Sequence, residues 1–308
     1  MAALADEPLP VPSATAITFS LTPFTWLSSG HSKFSIANFG GPNVASELKF
    51  SKAKSEVAGF TGELMYHDRA FLRLAGQFGK VHGGNLNDSD YLGDDRTFLF
   101  SESMSQVGSG SSTWGVTADI GARVLRWPSP VHGRSATLDV FLGWQHWEER
   151  FEATKGVQTQ DPFGLIGGTG PFPNQGPAIT ETFRWDAARI GLRESVPLLP
   201  RLFIEGEFAW IPYTVLRLED SHWQRSDLQQ HPSVETTARG GGGYQWNLGM
   251  RVPVTEALSL TAAYQSWSLR SNQSTMRFHN ADGTVDDVPF NGGFSVRQGV
   301  TFGLNLRL

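Results

Sequence analysis

The sequence predicts an all-β protein, a ten-stranded antiparallel transmembrane β-barrel with short periplasmic turns and long extracellular loops. Three observations carry this expectation. Apolar and polar residues alternate with period two in run after run along the 308 residues. Charged residues sit in the middle of those runs, where a barrel would turn them into a wet lumen. Tight connectors alternate with long polar ones.

Composition removes the competing classes. With no cysteine, the chain has no disulfide scaffold, thiolate chemistry, zinc finger or iron–sulfur ligation. A net charge of -5 without a basic run argues against a nucleic-acid binder. At 39% hydrophobic content, no stretch reaches the roughly 18 consecutive apolar residues of a membrane-spanning helix. A large soluble β domain and a membrane barrel remain.

Taken in order, residues 1–14 read as a residual signal-cleavage region and an extended lead-in. Ala3-Leu4-Ala5 has the form of a signal-peptidase site, and Pro8, Pro10 and Pro12 follow it. The same three small residues also fit an ordinary chain terminus. Residues 15–308 form the single barrel domain, whose location is the outer membrane of a Gram-negative bacterium. Strands are expected at 15–30 and 44–66, with a tight turn at His67-Asp68 leading to 69–82, which carries Arg73 mid-strand. The fourth, 108–127, carries Asp119 and Arg123, and Pro128 to Ser135 turns the chain into 136–154. There Leu138, Val140, Leu142 and Trp144 alternate with Thr137, Asp139 and Gln145.

The sixth strand, 178–196, turns at Pro197 to Pro200 into 201–219, where Leu202, Ile204 and Phe208 alternate with Glu205 and Glu207. In 240–254, Trp246, Leu248, Met250 and Val252 face away from Gln245, Asn247 and Arg251. Val254 to Ala257 turns it into 257–272, with Leu258, Leu260, Ala262 and Tyr264 on one face. The last strand, 293–308, alternates to the C-terminus, ending on Leu308 where such barrels usually end on an aromatic residue. Long loops are expected near 30–43, 82–108, 155–177, 219–240 and 272–292. Trp127, Trp144, Trp147, Trp210 and Trp267, near strand ends, are read as aromatic girdles.

No Walker-type phosphate loop, Gly-x-Ser-x-Gly elbow or His-Glu-x-x-His motif is present. Two polar motifs stand at strand tops: Gly83-Gly84-Asn85-Leu86-Asn87-Asp88-Ser89-Asp90-Tyr91 after the third strand and Asp220-Ser221-His222 after the seventh. Residues two apart in extended chain share a face. Asp88 with Asp90, and Asp220 with His222, would therefore converge if both pairs point inward. An Asp beside a His fixes its tautomer and raises its basicity. Two adjacent carboxyls hold one proton between them. Together they activate a water. A calcium loop over 88–99 is excluded by Leu99, where a bidentate Glu is needed.

At these motifs the sequence resembles the omptins, outer-membrane proteases of Gram-negative bacteria. Ser46-Glu47-Leu48-Lys49-Phe50, the Gly83–Tyr91 motif, Phe172-Pro173-Asn174 with Ala178-Ile179, Arg184 and Ile190-Gly191-Leu192, and Asp220-Ser221-His222 carry the likeness. It implies an endopeptidase with catalytic Asp88, Asp90, Asp220 and His222 at the extracellular mouth. A water between His222 and Asp88 would attack the peptide carbonyl, with no metal ion and no cofactor. Omptins cut between basic residues because acidic side chains line the pocket before the cut. The matching positions are Phe34 and Leu218, so an apolar residue before the cut is expected. The family depends on lipopolysaccharide; Arg184 matches one member of its outer-wall cluster, and Trp144 and Arg150 keep an aromatic and an arginine there in altered register. The expected partners are surface peptides or proteins and lipopolysaccharide, with no nucleic acid, and the barrel is expected to be a monomer.

The runner-up reading is a non-enzymatic barrel (narrow pore, adhesin or receptor) on the same scaffold. A lipid hydrolase is disfavoured because Ser221 and His222, as strand neighbours, face opposite ways. A metal hydrolase using the three Asp and His222 is a further alternative, which insensitivity to chelators would dismiss.

Overall fold

Alternation of side chains decides everything about this architecture. The computed structural model describes residues 17–129, 131, 133–164 and 167–308; the expected segment 1–14 lies outside the described residues. The strands are β1 (Ile17–Ile36), β2 (Ser46–Tyr66), β3 (Ala70–His82), β4 (Asn85–Gly93), β5 (Thr97–Val107), β6 (Ser112–Pro128), β7 (Ser135–Gln160) and β8 (Gly170–Pro171). They continue with β9 (Ile179–Leu199), β10 (Leu202–His222), β11 (Val234–Arg239), β12 (Gly241–Pro253), β13 (Leu258–Ser271), β14 (Ser274–His279) and β15 (Val285–Arg307).

All pairings are antiparallel, and β15 pairs with β1 to close the sheet. Around the end with tight turns the ring runs β1-β2-β3-β6-β7-β9-β10-β12-β13-β15. Around the other end β4 and β5 take the places of β3 and β6, while β11 and β14 take those of β12 and β13. Ten strands therefore surround the lumen at both levels, as the sequence predicts.

The outer face near the tight turns is a belt of exposed apolar side chains, including Leu72, Phe78, Ile120, Leu142, Ile190, Phe208, Leu248 and Phe302. Between them on the same strands, the charged residues expected in the lumen face inward. Arg73 bonds Asp119 at 2.8 Å and Glu207 at 2.5 Å, Arg123 bonds Asp139 at 2.9 Å, and Arg251 bonds Glu205 at 2.7 Å. This is the one-face-lipid, one-face-water pattern of a transmembrane barrel. These charges line a cavity of about 600 Å³ at the tight-turn end.

Further up, the lumen is filled. Trp26, Trp147, Trp185 and Trp267 pack with Phe50, Phe151 and Phe183 into one buried cluster. Two of the expected girdle residues are thus misplaced by the sequence reading. Trp127, Trp144 and Trp210 do face outward, but Trp147 and Trp267 are 1% exposed and meet edge to face at 5.1 Å inside the lumen. The reason is parity: Trp147 lies an odd number of residues from outward-facing Trp144 and so points inward.

The expected loops also need correction. Most of 82–108 and 272–292 is not loop but strand, in the hairpins β4–β5 and β14–β15, and 219–240 begins and ends in strand, with the end of β10 and β11. Their polar composition reflects a wall standing above the apolar belt, whose outer face is polar while inward residues such as Leu86, Val234, Ala238 and Met276 are buried.

Candidate active site

The first arm of the site depends on a kink. Gly83 and Gly84 adopt φ of 67° and 91° between β3 and β4. A Cβ on Gly84 would lie 2.5 Å from the carbonyl oxygen of Ser51, so only glycine fits this left-handed position against β2. The kink lets the chain leave β3 and pair again with the first part of β2. Leu86 is then buried inward opposite Phe50, Asp88 stands opposite Leu48, and Asp90 stands opposite Ser46 and Ser101. The two aspartates share the inner face, as their spacing requires.

The second arm is the end of β10, which runs beyond the belt residues Trp210 and Tyr213. Asp220 and His222 lie on this strand and not after it. Asp220 is 2% exposed at its side chain, and its Oδ2 lies 2.9 Å from His222 Nε2. With Nε2–H donated to Asp220, Nδ1 is the free proton acceptor. Ser221 points the other way and shares a 2.9 Å hydrogen bond with His231 Nδ1. The corner is held by buried Ser233: the His222 amide donates to Ser233 Oγ at 2.7 Å, and the Ser233 amide donates to the Asp220 carbonyl at 2.8 Å. The glycine run Gly240 to Gly243 joins β11 to β12 in the wall and does not fill the mouth.

The two arms act on each other electrically. Burial raises Asp88 to about 7, helped by the negative charges of Asp90 and Asp220 and opposed by His222 and Arg225. Burial likewise raises Asp90, against hydrogen bonds from Ser46 and Ser101 and the charges of Arg225 and His222. One proton is therefore held by the Asp88–Asp90 pair near neutral pH. Burial works against charge on His222, yet the charge and hydrogen bond of Asp220, together with Asp88, leave its pKa raised. An oriented imidazole and a protonated carboxyl pair, each sensing the other, can hold and polarise one water.

The sequence reading missed Glu181, Ser233 and Arg225. Glu181 on β9 is fully buried directly across from Asp220. It interrupts the inward row Ile179, Phe183, Trp185, and a carboxyl in an apolar period-two row was a readable signal. Arg225, paired with Asp227, lies in the connection after β10, where its charge lowers both aspartates. Nothing local marks Ser233.

The remaining expected residues fall in two places. Phe34 and Leu218 are inward and buried, at 4% and 1% exposure. Phe34 packs against Phe183 at 6.2 Å and Phe290 at 6.1 Å, and Leu218 stands opposite Phe183 on β9. They form apolar floor beneath Asp220 rather than an open pocket. Trp144 is exposed on the outer face of β7, on which Arg150 also lies, and Arg184 lies across from Glu148 on β9. Arg184 bonds Glu148 and Glu219 at 3.0 Å each, and Arg150 donates to the Gly110 carbonyl at 2.9 Å. The outer wall here is therefore a compensated band and not a purely basic one.

The model of the Protochlamydia outer membrane protein family (Pom) matches residues 28–307. Among solved structures, the chain is similar to the outer membrane protease OmpT of Escherichia coli, with a TM-score of 0.76 at 18% identity over 96% of this chain and 98% of that one. The translocator domain of autotransporter NalP from Neisseria meningitidis matches at a TM-score of 0.37 and 9% identity, over 92% and 88% of the two chains. A FadL homologue of Pseudomonas aeruginosa matches at 0.29 and 12%, over 94% and 90%. These last two scores carry no weight. No curated protein matches the sequence. The resemblance to omptins thus holds for the outer-membrane barrel fold, while the family that the sequence itself matches is a different one.

Proposed function

The chain belongs to the Protochlamydia outer membrane protein family, and we propose that it is an outer-membrane endopeptidase with its site at the extracellular mouth of the barrel. The observation that carries this reading is the His222–Asp220 pair at 2.9 Å, electrically coupled to a proton-sharing Asp88–Asp90 pair above a filled lumen. A non-enzymatic barrel has no need of four buried or half-buried titratable groups turned toward one another, each at a cost in desolvation.

In this reading a water sits between His222 Nδ1 and Asp88. His222 takes one of its protons as the oxygen attacks the peptide carbonyl carbon. The oxyanion that forms accepts a hydrogen bond from the proton shared by Asp88 and Asp90. His222 then returns its proton to the amide nitrogen, the C–N bond breaks to release the amine, and the tetrahedral oxyanion collapses to the carboxylic acid. Asp220 holds the imidazole in the Nε2–H tautomer and stabilises its cationic form. Neither a covalent nucleophile nor a metal is invoked.

The apolar floor made by Phe34 and Leu218 offers no counter-charge to a lysine or arginine. Burying such a head unpaired costs several kcal/mol, so cleavage after apolar residues fits this site better. Substrates are surface peptides or proteins, and the barrel acts as a monomer. Lipopolysaccharide is assigned to the outer wall at Trp144, Arg150 and Arg184, with activity compared in its presence and absence as the test. The enzyme reading itself is tested by incubating the refolded barrel with a peptide library, wild type against Asp88→Ala and His222→Ala. Cleavage by wild type alone supports it; equal cleavage by all three refutes it.

A further inference from the structure

Asp220 has a second oxygen that the Asp–His pair does not use. Oδ2 meets His222, but Oδ1 is buried without a hydrogen-bond partner, and so are both carboxyl oxygens of Glu181. These three atoms belong to neighbours: Glu181 on β9 and Asp220 on β10 are directly opposite in the strand register. Both side chains face the lumen, and the residues are 0% and 2% exposed.

Among the described residues no lysine or arginine forms an ion pair with either carboxyl. On its own strand Glu181 is flanked inward by Ile179 and Phe183, and across on β7 stands Phe151, all buried. Asp220 is flanked on β11 by buried Val234. The charged groups facing the pair are His222 from β10, whose Nε2 is engaged by Asp220, and Asp88 from β4. Glu219 adds negative charge from β10 but is turned outward to Arg184; Glu149 on β7 is engaged by Arg297. Two ionised carboxylates directly opposite in such a place repel each other and forfeit their hydration. A single proton removes both penalties, because a carboxylic acid is a hydrogen-bond donor.

We infer that Glu181 is held as the neutral acid and donates its proton to Oδ1 of Asp220, making Glu181 a positioning residue that fixes the Asp220 carboxylate for His222. The proton is placed on Glu181 because Asp220 already accepts the N–H of His222 and so is the acceptor of the pair. The electrostatics agree in direction: burial, then the charge of Asp220, the hydrogen bond to it and the charge of Glu219, push Glu181 well above the usual carboxylate range, against the opposing backbone amide of Thr182. Seen from the imidazole, the base is oriented by a chain of three groups. The inference rests on the reading of His222 as the base for its functional consequence, though the protonation state stands apart from it.

The test compares Glu181→Gln with Glu181→Ala in the full-length refolded barrel. Gln keeps an N–H donor where the acid had O–H; Ala leaves Asp220 Oδ1 unpaired. Glu181→Gln is expected to keep kcat and the acid limb of the pH profile within about threefold of wild type. Glu181→Ala is expected to lose about tenfold or more in kcat with KM unchanged, as for loss of one buried hydrogen bond to a charged group. Infrared spectra at neutral pH should show a neutral carboxylic-acid band in wild type that disappears in Glu181→Gln. Equal damage in both variants, or no such band lost, overturns the inference. Should Glu181→Ala fail to refold, the Gln variant and the infrared band still decide. Activity that survives His222→Ala would remove His222 as the base and leave the infrared result standing, so the two failures are distinguishable.

Discussion

Arg297 and Glu149 form a buried ion pair across the middle of the lumen, with Nε at 2.7 Å and Nη2 at 2.5 Å from the same oxygen, Oε1. Their side chains are 1% and 2% exposed. The other carboxylate oxygen accepts from Ser32 at 2.8 Å, while Arg297 Nη1 donates to Ser55 at 2.9 Å and to Ser28 and the Ala53 carbonyl at 3.2 Å. Every arm of the pair is engaged, and Trp26, Trp147 and Trp267 belong to the same buried region. This layer separates the candidate site from the charged cavity at the tight-turn end.

Breaking that pair should cost far more than replacing it. Glu149→Ala leaves an uncompensated buried guanidinium and is expected to destabilise the barrel by about 3–5 kcal/mol, whereas replacing both residues by Met or Leu should be near neutral. Urea unfolding in lipid vesicles measures both. A cost below about 1 kcal/mol for Glu149→Ala would show that water reaches the layer.

A filled lumen does not conduct. Purified wild-type barrel in a planar bilayer is expected to give no steady current steps. Regular porin-like steps would contradict the closed layer and favour the pore alternative over the enzyme.

Removing the base or its water-holding partner should abolish turnover without unfolding the protein. His222→Ala and Asp88→Ala are each expected to lower kcat by about a hundredfold or more, the scale of general acid–base catalysis. Heat-modifiable gel mobility reports whether the barrel is intact. Chelators are expected to leave the wild-type rate unchanged; inhibition reversed by added metal would point to a metal hydrolase instead.

Activity should be bell-shaped in pH with its maximum near neutrality. Its acid limb follows deprotonation of His222, whose pKa is raised, and its alkaline limb follows loss of the proton shared by Asp88 and Asp90, with Asp88 raised to about 7. Asp220→Asn removes the charge that holds His222 up, so burial then prevails and the acid limb moves to lower pH. An acid limb that stays in place in the variant would show that another group sets it.

Specificity should follow the apolar floor. In a peptide library the wild type is expected to cut after apolar residues, since the buried floor of Phe34 and Leu218 offers a basic side chain no counter-charge. Strict preference for Arg or Lys would place the specificity pocket elsewhere on the inner wall.

Much of the site was legible because period two is a strict rule. Asp88 with Asp90, and Asp220 with His222, share a face wherever the chain is extended, and the motif order put them on two different strands. The same rule, applied one residue further, would have sent Trp147 inward. Strand ends were harder. Residues 234–239 and 274–279 are too short for alternation to separate them from loop: their buried inner rows, Val234, Thr236 and Ala238 on one strand and Met276 on the other, hold only a few residues among polar neighbours.

Alternation and turn spacing are local properties of the chain, and from them follow the barrel, its ten strands, its charged lumen and the two motif pairs. Which partners those residues meet is not local. Cross-strand register is a relation between distant segments, and it alone sets Glu181 against Asp220, Arg297 against Glu149, and the aromatic layer across the lumen. No spacing along one strand encodes what stands opposite it, yet that neighbour decides which carboxyl is charged and which keeps its proton.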